Sequence, residues 1–201
     1  MHVDRLQIFR SYRRQVIDFR KVMSVEIRPA TEADLPQILE IFQHYVLNTV
    51  VSFLVQKPNP DYIKSRWLDT KQRGLPYLVA VDTHSQRIVG YASASAFRGY
   101  MLGYGHSVEI SLFCAPGHTS RGIGGKLLRA LLQALRETKH VSNEVGYEDN
   151  KVEFEIKKVF AVMAVDETAP AGGLALRDWY VKFGFEQIGR LKGVGSKKGR
   201  R

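Results

Sequence analysis

The sequence predicts one α/β domain built on a mixed β-sheet. Three observations carry this. The chain has 201 residues with 44% apolar content, enough for one sizeable core and ordinary for a globular protein. Strand-like and helix-like runs follow one another in the order β, α, α, β, β, β, α, β, α, β. Tyr77–Val81 and Ile88–Ala96 flank a polar turn and form a hairpin, whereas the later strands are joined through helices, which demands parallel pairing.

In chain order, Leu6, Phe9, Tyr12, Val16, Phe19 and Met23 recur at helical spacing among six basic residues, so residues 1–24 predict a basic amphipathic extension. Asp4 and Asp18 argue against a mitochondrial transit peptide, since such segments are acid-poor. Val25–Arg28 alternates as a strand and stops at Pro29. Thr31 and Asp34 then offer N-cap chemistry, and Leu35, Ile38, Phe42 and Tyr45 mark a helix to about Leu47. An irregular link leads to a second helix over about Asp61–Gln72, which buries Ile63 and Trp67 and ends at Gly74. After the hairpin and a glycine- and tyrosine-rich loop comes a buried strand, Val108–Cys114, then a glycine-rich turn and a leucine-rich helix. Residues 137–158 are charged without strong periodicity and predict an insertion or exposed linker. Val159–Val165 predicts a buried strand, Gly172–Lys182 a helix, and Phe185–Leu191 a last strand.

The net charge of +10 belongs to the two ends. Residues 1–24 carry six Lys/Arg and two Asp, residues 190–201 six Lys/Arg and no acid, and the rest 18 of each sign. A neutral body without a nucleic-acid motif argues against a nucleic-acid partner, and the tails read as solvated. No apolar run is long enough for a membrane span. A single Cys114 excludes an internal disulfide and suits a reducing, cytoplasmic setting.

The chemistry gathers around the strand Val108–Cys114 and the turn Ala115–Gly125. Glycines let backbone N–H groups converge, and a helix N-terminus adds partial positive charge, which together make a phosphate cradle. A P-loop is excluded, because Ile123 stands where its lysine belongs and Ser120 and Leu127 break the other frame. A dinucleotide fingerprint fails at Leu127. What remains is an amide cradle for a pyrophosphate, or a structural turn with no ligand.

Thr119-Ser120-Arg121-Gly122-Ile123-Gly124 resembles the GNAT superfamily loop Gln/Arg-x-x-Gly-x-Gly/Ala except at its first position. Trp179-Tyr180-Val181-Lys182-Phe183-Gly184-Phe185 resembles that family's Phe/Leu-Tyr-x-Lys-x-Gly-Phe helix end. Ile27–Thr31, Tyr45–Thr49 with Phe53, and Ser107–Ser111 are similar to the phosphinothricin and methionine sulfoximine acetyltransferases, as is Gly193-Val194-Gly195 with Lys197 more faintly. The resemblance covers residues 25–195. It implies a GNAT fold, with a mostly antiparallel sheet splayed at the cofactor site and helices on both faces. It also implies acetyl-CoA as co-substrate, held by Leu112, Phe113, Thr119, Ser120, Arg121, Gly122, Ile123, Gly124, Gly125 and Lys126.

Acetyl transfer needs a neutral amine, a polarised thioester carbonyl and a protonated leaving thiolate. An alkylamine of pKa about 10.4 is mostly ammonium at pH 7, so a base helps. Glu109 is the candidate: a strand-interior carboxylate among apolar neighbours is either paired, at a rim, or functional. The resemblance puts a base glutamate at this point, with a water as an optional relay. It puts Tyr180 at the family's acid position, though near relatives often carry histidine there, and a core aromatic is the bland alternative. Backbone N–H groups near Leu112–Phe113 are the oxyanion candidates. Asn48, Thr49, Phe53 and Arg98 are candidates for the acceptor pocket, Arg98 as partner of a substrate carboxylate. Cys114 and His106 read as structural, and no cluster has metal-ligand spacing, so no metal is expected.

The family continues past the Gly-Val-Gly-x-Lys segment into an inner strand, whereas residues 196–201 form only a basic tail. Three outcomes stay open: the flanking strands close up, a partner chain in a homodimer supplies an edge, or activity is weak. The expected function is acetylation of a small, amino-acid-like amine by direct attack in a ternary complex. The rivals are an impaired CoA-binding or interaction module and a basic-tailed nucleic-acid-associated protein.

Overall fold

The computed structural model describes residues 24–99 and 101–199. Its strands are β1 (Val25–Pro29), β2 (Tyr77–Asp82), β3 (Ile88–Ala96), β4 (Ser107–Cys114), β5 (Lys139–Ser142), β6 (Val152–Glu155) and β7 (Lys158–Ala161). Its α-helices are α1 (Leu35–Asn48), α2 (Pro60–Gln72), α3 (Ile123–Glu137) and α4 (Ala175–Val181). The amphipathic segment read over residues 1–23 and the last two arginines lie outside the described residues.

Five strands form the main sheet in the order β1-β2-β3-β4-β7. The first three pairings are antiparallel and β4–β7 is parallel, as a helical crossover requires. Alternation along β2 separates the two faces. Tyr77, Val79 and Val81 face α1 and α2, where Ile38, Phe42, Val46, Ile63 and Trp67 are buried. Leu78 and Ala80 face α3, whose Ile123, Leu127, Leu128, Leu131 and Leu135 fill the second core with Val108 and Ile110. Each such buried leucine contributes about 1.5–3 kcal/mol. No helix among the described residues is long and apolar enough to cross a membrane.

The junction of β1 and α1 is fixed by Asp34. Its carboxylate accepts from the Thr31 N–H at 2.7 Å and hydroxyl at 2.9 Å, and pairs with both Arg28 guanidinium nitrogens at 2.7 and 2.8 Å. The Arg28 guanidinium holds the Asp34 pKa down to about 2, against the desolvation that opposes it.

Four expectations need correction. Residues 137–158 are not an exposed linker throughout: β5 and β6 pair antiparallel, with His140 and Ser142 turned inward, and only the connection between them, residues 144–151, is wholly exposed. The strand expected over 159–165 is only β7, because the chain leaves the ladder after Ala161 and sends Met163 and Ala164 towards a cavity. The helix expected over 172–182 shortens to α4, since Ala171, Gly172 and Gly173 have left-handed backbones that a right-handed helix cannot continue. Phe185–Leu191 forms no strand. Phe185 packs on Tyr180, but Ile188 and Leu191 are 78% and 80% exposed and meet no second ladder. Among the described strands, β7 is paired on one edge only.

Candidate active site

β4 is the central element. β3 flanks it over its whole length, from Ala96↔Val108 to Gly90↔Cys114. β7 flanks it only from Ser107↔Lys158 to Ile110↔Ala161. Beyond Ile110 the sheet opens on one side, and Ser111–Cys114 border a cavity of about 570 Å³.

The α3 N-terminus closes one end of that cavity through Thr119, Ser120, Gly122, Gly124 and Gly125. Gly122 has φ +79 and caps the helix, and its carbonyl accepts from the Lys126 N–H at 3.1 Å. A Cβ at Gly122 would meet nothing within 4 Å, so the glycine serves the left-handed backbone and not a need for room. The first turn of α3 carries no acidic side chain. Its N–H groups therefore meet the cavity with their partial positive charge uncancelled.

Opposite stands α4. Trp179 packs on Phe183 with ring centroids 4.8 Å apart, and Tyr180 meets Phe185 edge-on at 5.2 Å. The Tyr180 carbonyl accepts from the Phe183 N–H at 2.9 Å, and Gly184 turns the chain with φ +86. These contacts aim Tyr180 into the cavity. Burial pushes its phenol up to about 12, so it stays protonated at any physiological pH.

The third wall comes from α1, α2 and the β2–β3 face: Phe42 and Tyr45, Tyr62 and Arg66, then Tyr77, Tyr91 and Ser93. Tyr45 donates to the Cys114 carbonyl at 2.7 Å, fixing the end of β4. Glu109 lies between these walls, paired across the sheet with Ser95 and Phe160. Half-burial pushes its carboxyl pKa up, and Arg66 opposes that only in part. No ion-pair partner lies within 4.0 Å of Glu109 among the described residues, so the paired-carboxylate alternative finds no partner there.

Of the residues read from sequence, the cavity gathers Glu109, Tyr180, Leu112, Phe113, Thr119, Ser120, Gly122, Gly124, Gly125 and Phe53. Asn48, Thr49, Arg98, Arg121, Ile123 and Lys126 do not line it. Asn48 and Thr49 instead bond the carbonyls of His44 and Tyr45 at the end of α1. Arg98 sits in the turn after β3 with a left-handed φ of 50, and the Ile123 side chain belongs to the core. Cys114 lines the cavity, and burial pushes its thiol pKa up, which disfavours a thiolate nucleophile. Arg66 and the tyrosines at 62, 77 and 91 were not singled out by sequence. A lone helix arginine reads as solvated and a strand tyrosine as core.

A model of the acetyltransferase (GNAT) family matches residues 38–153, more than half of the chain. The chain belongs to the GNAT acetyltransferase family. Two curated relatives span nearly its whole length. The phosphinothricin N-acetyltransferase of Streptomyces coelicolor is 32% identical over 178 residues, 88% of this chain and 90% of that protein. The L-methionine sulfoximine/L-methionine sulfone acetyltransferase of Pseudomonas aeruginosa is 31% identical over 181 residues, 89% of this chain and 90% of that protein. Among solved structures, a GNAT superfamily phosphinothricin acetyltransferase from Sinorhizobium meliloti in complex with AcCoA superposes with a TM-score of 0.71 at 29% identity, covering 89% of this chain and 83% of that one. The present GNAT protein is thus an N-acetyltransferase that depends on acetyl-CoA. Its residues fit that co-substrate: an acid-free helix N-terminus suits a pyrophosphate, and a β4 edge left unpaired beyond Ile110 suits an amide-bearing arm.

Proposed function

We propose that this acetyltransferase acetylates the amine of a small amino-acid-like acceptor, by direct attack in a ternary complex, with Glu109 as base and Tyr180 as acid. The observation that carries the reading is that both side chains line one cavity, together with the glycine turn at the α3 N-terminus. Acetyl-CoA supplies the activated acyl carbonyl and the thiol leaving group. Glu109 takes the proton from the acceptor ammonium, directly or through one water, and its raised pKa brings the carboxylate closer to that task. The Tyr180 hydroxyl holds a proton for the departing sulfur, and its high pKa keeps that proton in place until the thiolate forms. Backbone N–H groups near Leu112 and Phe113 stabilise the developing oxyanion. The acceptor class rests on the relatives that act on phosphinothricin and methionine sulfoximine.

The test is release of free thiol from acetyl-CoA against amino acids, their sulfoximine and phosphinate analogues, polyamines and peptides. Release confined to the amino-acid-like amines is expected. A second reading, an impaired CoA-binding module, is favoured by one observation: Phe185–Leu191 forms no strand, so the sheet beside β7 is open. Thermal stabilisation by CoA with no thiol release from any amine would establish that reading instead.

A further inference from the structure

We infer that Arg66 is the anchor for an acceptor carboxylate, so that the cavity selects amines that also carry an acid group. The inference rests on the acetyltransferase reading above for the identity of the reacting end, and on the following for the other end.

Among the described residues lining the cavity, Arg66 is the only cation and Glu109 the only carboxylate. They make no ion pair with each other within 4.0 Å, and Arg66 has no hydrogen-bond or ion-pair partner among the described residues. Arg66 is exposed at the cavity mouth, and its guanidinium lies over the Tyr62 ring. It stands one helical turn after Tyr62 on α2, with its guanidinium 5.8 Å from that ring's centroid. Tyr62 in turn stacks on Phe42 at 5.7 Å with planes 5° apart. A positioned guanidinium facing a cavity without a counter-ion is suited to a ligand carboxylate, which it can bind with two parallel hydrogen bonds.

The surroundings agree. Tyr77 and Tyr91 are buried, stack on each other at 5.9 Å and line the cavity, and neither makes a side-chain hydrogen bond among the described residues. Two phenol donors beside a cation complete a site for an anionic oxygen pair. The cavity thus offers Glu109 to an ammonium and Arg66 to a carboxylate, which is the charge pattern of an amino-acid zwitterion. Arg98, the carboxylate partner expected from sequence, does not reach the cavity.

The probes are L-methionine sulfone, its carboxamide, and its desamino analogue, which keeps the carboxylate but has no amine. In the full chain, Arg66→Met should collapse the preference for the acid over the amide by about 10- to 100-fold in kcat/KM, the range for a hydrogen-bonded charge. Arg66→Lys should recover part of it. The desamino analogue should bind the wild-type protein and compete with the acceptor, and Arg66→Met should abolish that binding, followed by the fluorescence of Trp179 in the same cavity. Equal losses on acid and amide would overturn the inference and leave Arg66 as an electrostatic partner of Glu109. Desamino binding that is absent from the wild type, or untouched by Arg66→Met, would overturn it too. If no amine releases thiol but the desamino acid still binds through Arg66, the acetyltransfer reading fails and the carboxylate site stands.

Discussion

Lys197 donates a 2.6 Å hydrogen bond from its Nζ to the Ser52 carbonyl oxygen, joining the glycine-rich segment Gly193–Gly199 to a loop that walls the cavity. Lys197 is only 6% exposed, and the adjoining contact is tight: a Cβ at Gly195 would lie 2.3 Å from the Phe53 ring. Ser52 and Phe53 both line the cavity, so this latch holds a wall of the site.

Lys197→Met keeps the aliphatic packing and removes the donor. An unsatisfied carbonyl costs about 1–2 kcal/mol, which corresponds to roughly a 5- to 30-fold rise in acceptor KM if the loop loosens. The KM for acetyl-CoA should not follow, since the glycine turn lies on α3. Initial rates with each substrate varied in turn separate the two. A parallel rise in both constants would show a general loss of structure, and Gly195→Ala should reproduce the acceptor-side effect through its clash with Phe53.

Glu109→Gln should slow turnover by about 10²-fold while raising Tm at pH 7. The sign follows from burial, which raises the folded-state pKa above the unfolded value. Such a group contributes stability below its unfolded pKa and loses it as pH rises through the folded pKa. At pH 7 the buried charge is therefore a cost that the neutral amide removes. Thermal unfolding at pH 7 and about pH 4 checks this, since a carboxyl near its ordinary pKa of about 4.3 is largely protonated at the lower pH and the gain should shrink. A lower Tm for the variant at pH 7 would mean that Glu109 has a stabilising partner.

The difference between what was legible in the sequence and what was not follows from how local each signal is. The helix α3 and the strand β4 announce themselves by leucine spacing and by a continuous apolar run, and the glycine turn by its composition. Glu109 stood out because it breaks an apolar run beside the glycine turn, and Tyr180 because the family resemblance marks its place in the helix-end motif. Arg66 did not, because whether an exposed helix arginine also borders a cavity depends on how α2 lies against β2 and β3, and spacing along the chain does not encode that. Phe185–Leu191 failed in the other direction. Its β-type residues satisfy local preference, but a strand needs a ladder, and these residues pair with no strand of the sheet although one edge of the short β7 is open.

Tyr180→Phe should also slow turnover by about 10²-fold, by removing the proton held for the leaving sulfur. The ring stays, so its contacts with Trp179 and Phe185 are retained and Tm should change little. Because burial pushes the phenol up to about 12, the wild-type rate should show no alkaline decline from Tyr180 below roughly pH 10. A pH–rate profile of kcat for both proteins is the measurement. A variant as fast as wild type at saturating substrate would remove Tyr180 from proton transfer and leave it as a packing residue.

The β5–β6 pair is tied to the Gly105 loop by a buried histidine. His140 is 1% exposed, its Nδ1 lies 2.6 Å from the Gly105 carbonyl, and its Nε2 has no partner among the described residues. Burial lowers its pKa below the ordinary 6.5, more than the Gly105 carbonyl raises it. For a depressed folded-state pKa, the stabilising contribution is present above the unfolded value and lost as pH falls through the folded one. Acidification below about 6.5 should therefore loosen the hairpin before the main sheet, because charging the ring leaves a buried cation whose second N–H has no acceptor. Backbone exchange protection at Lys139–Ser142 and Val152–Glu155, taken relative to the intrinsic rate at each pH, should fall as pH drops below about 6.5, while protection in β2 and β3 holds. His140→Phe keeps a planar ring against Phe154 but strands the Gly105 carbonyl, so it should cost about 1–3 kcal/mol at neutral pH, less on acidification, and abolish the acid sensitivity. An acid response that survives this substitution would assign the sensitivity to another group.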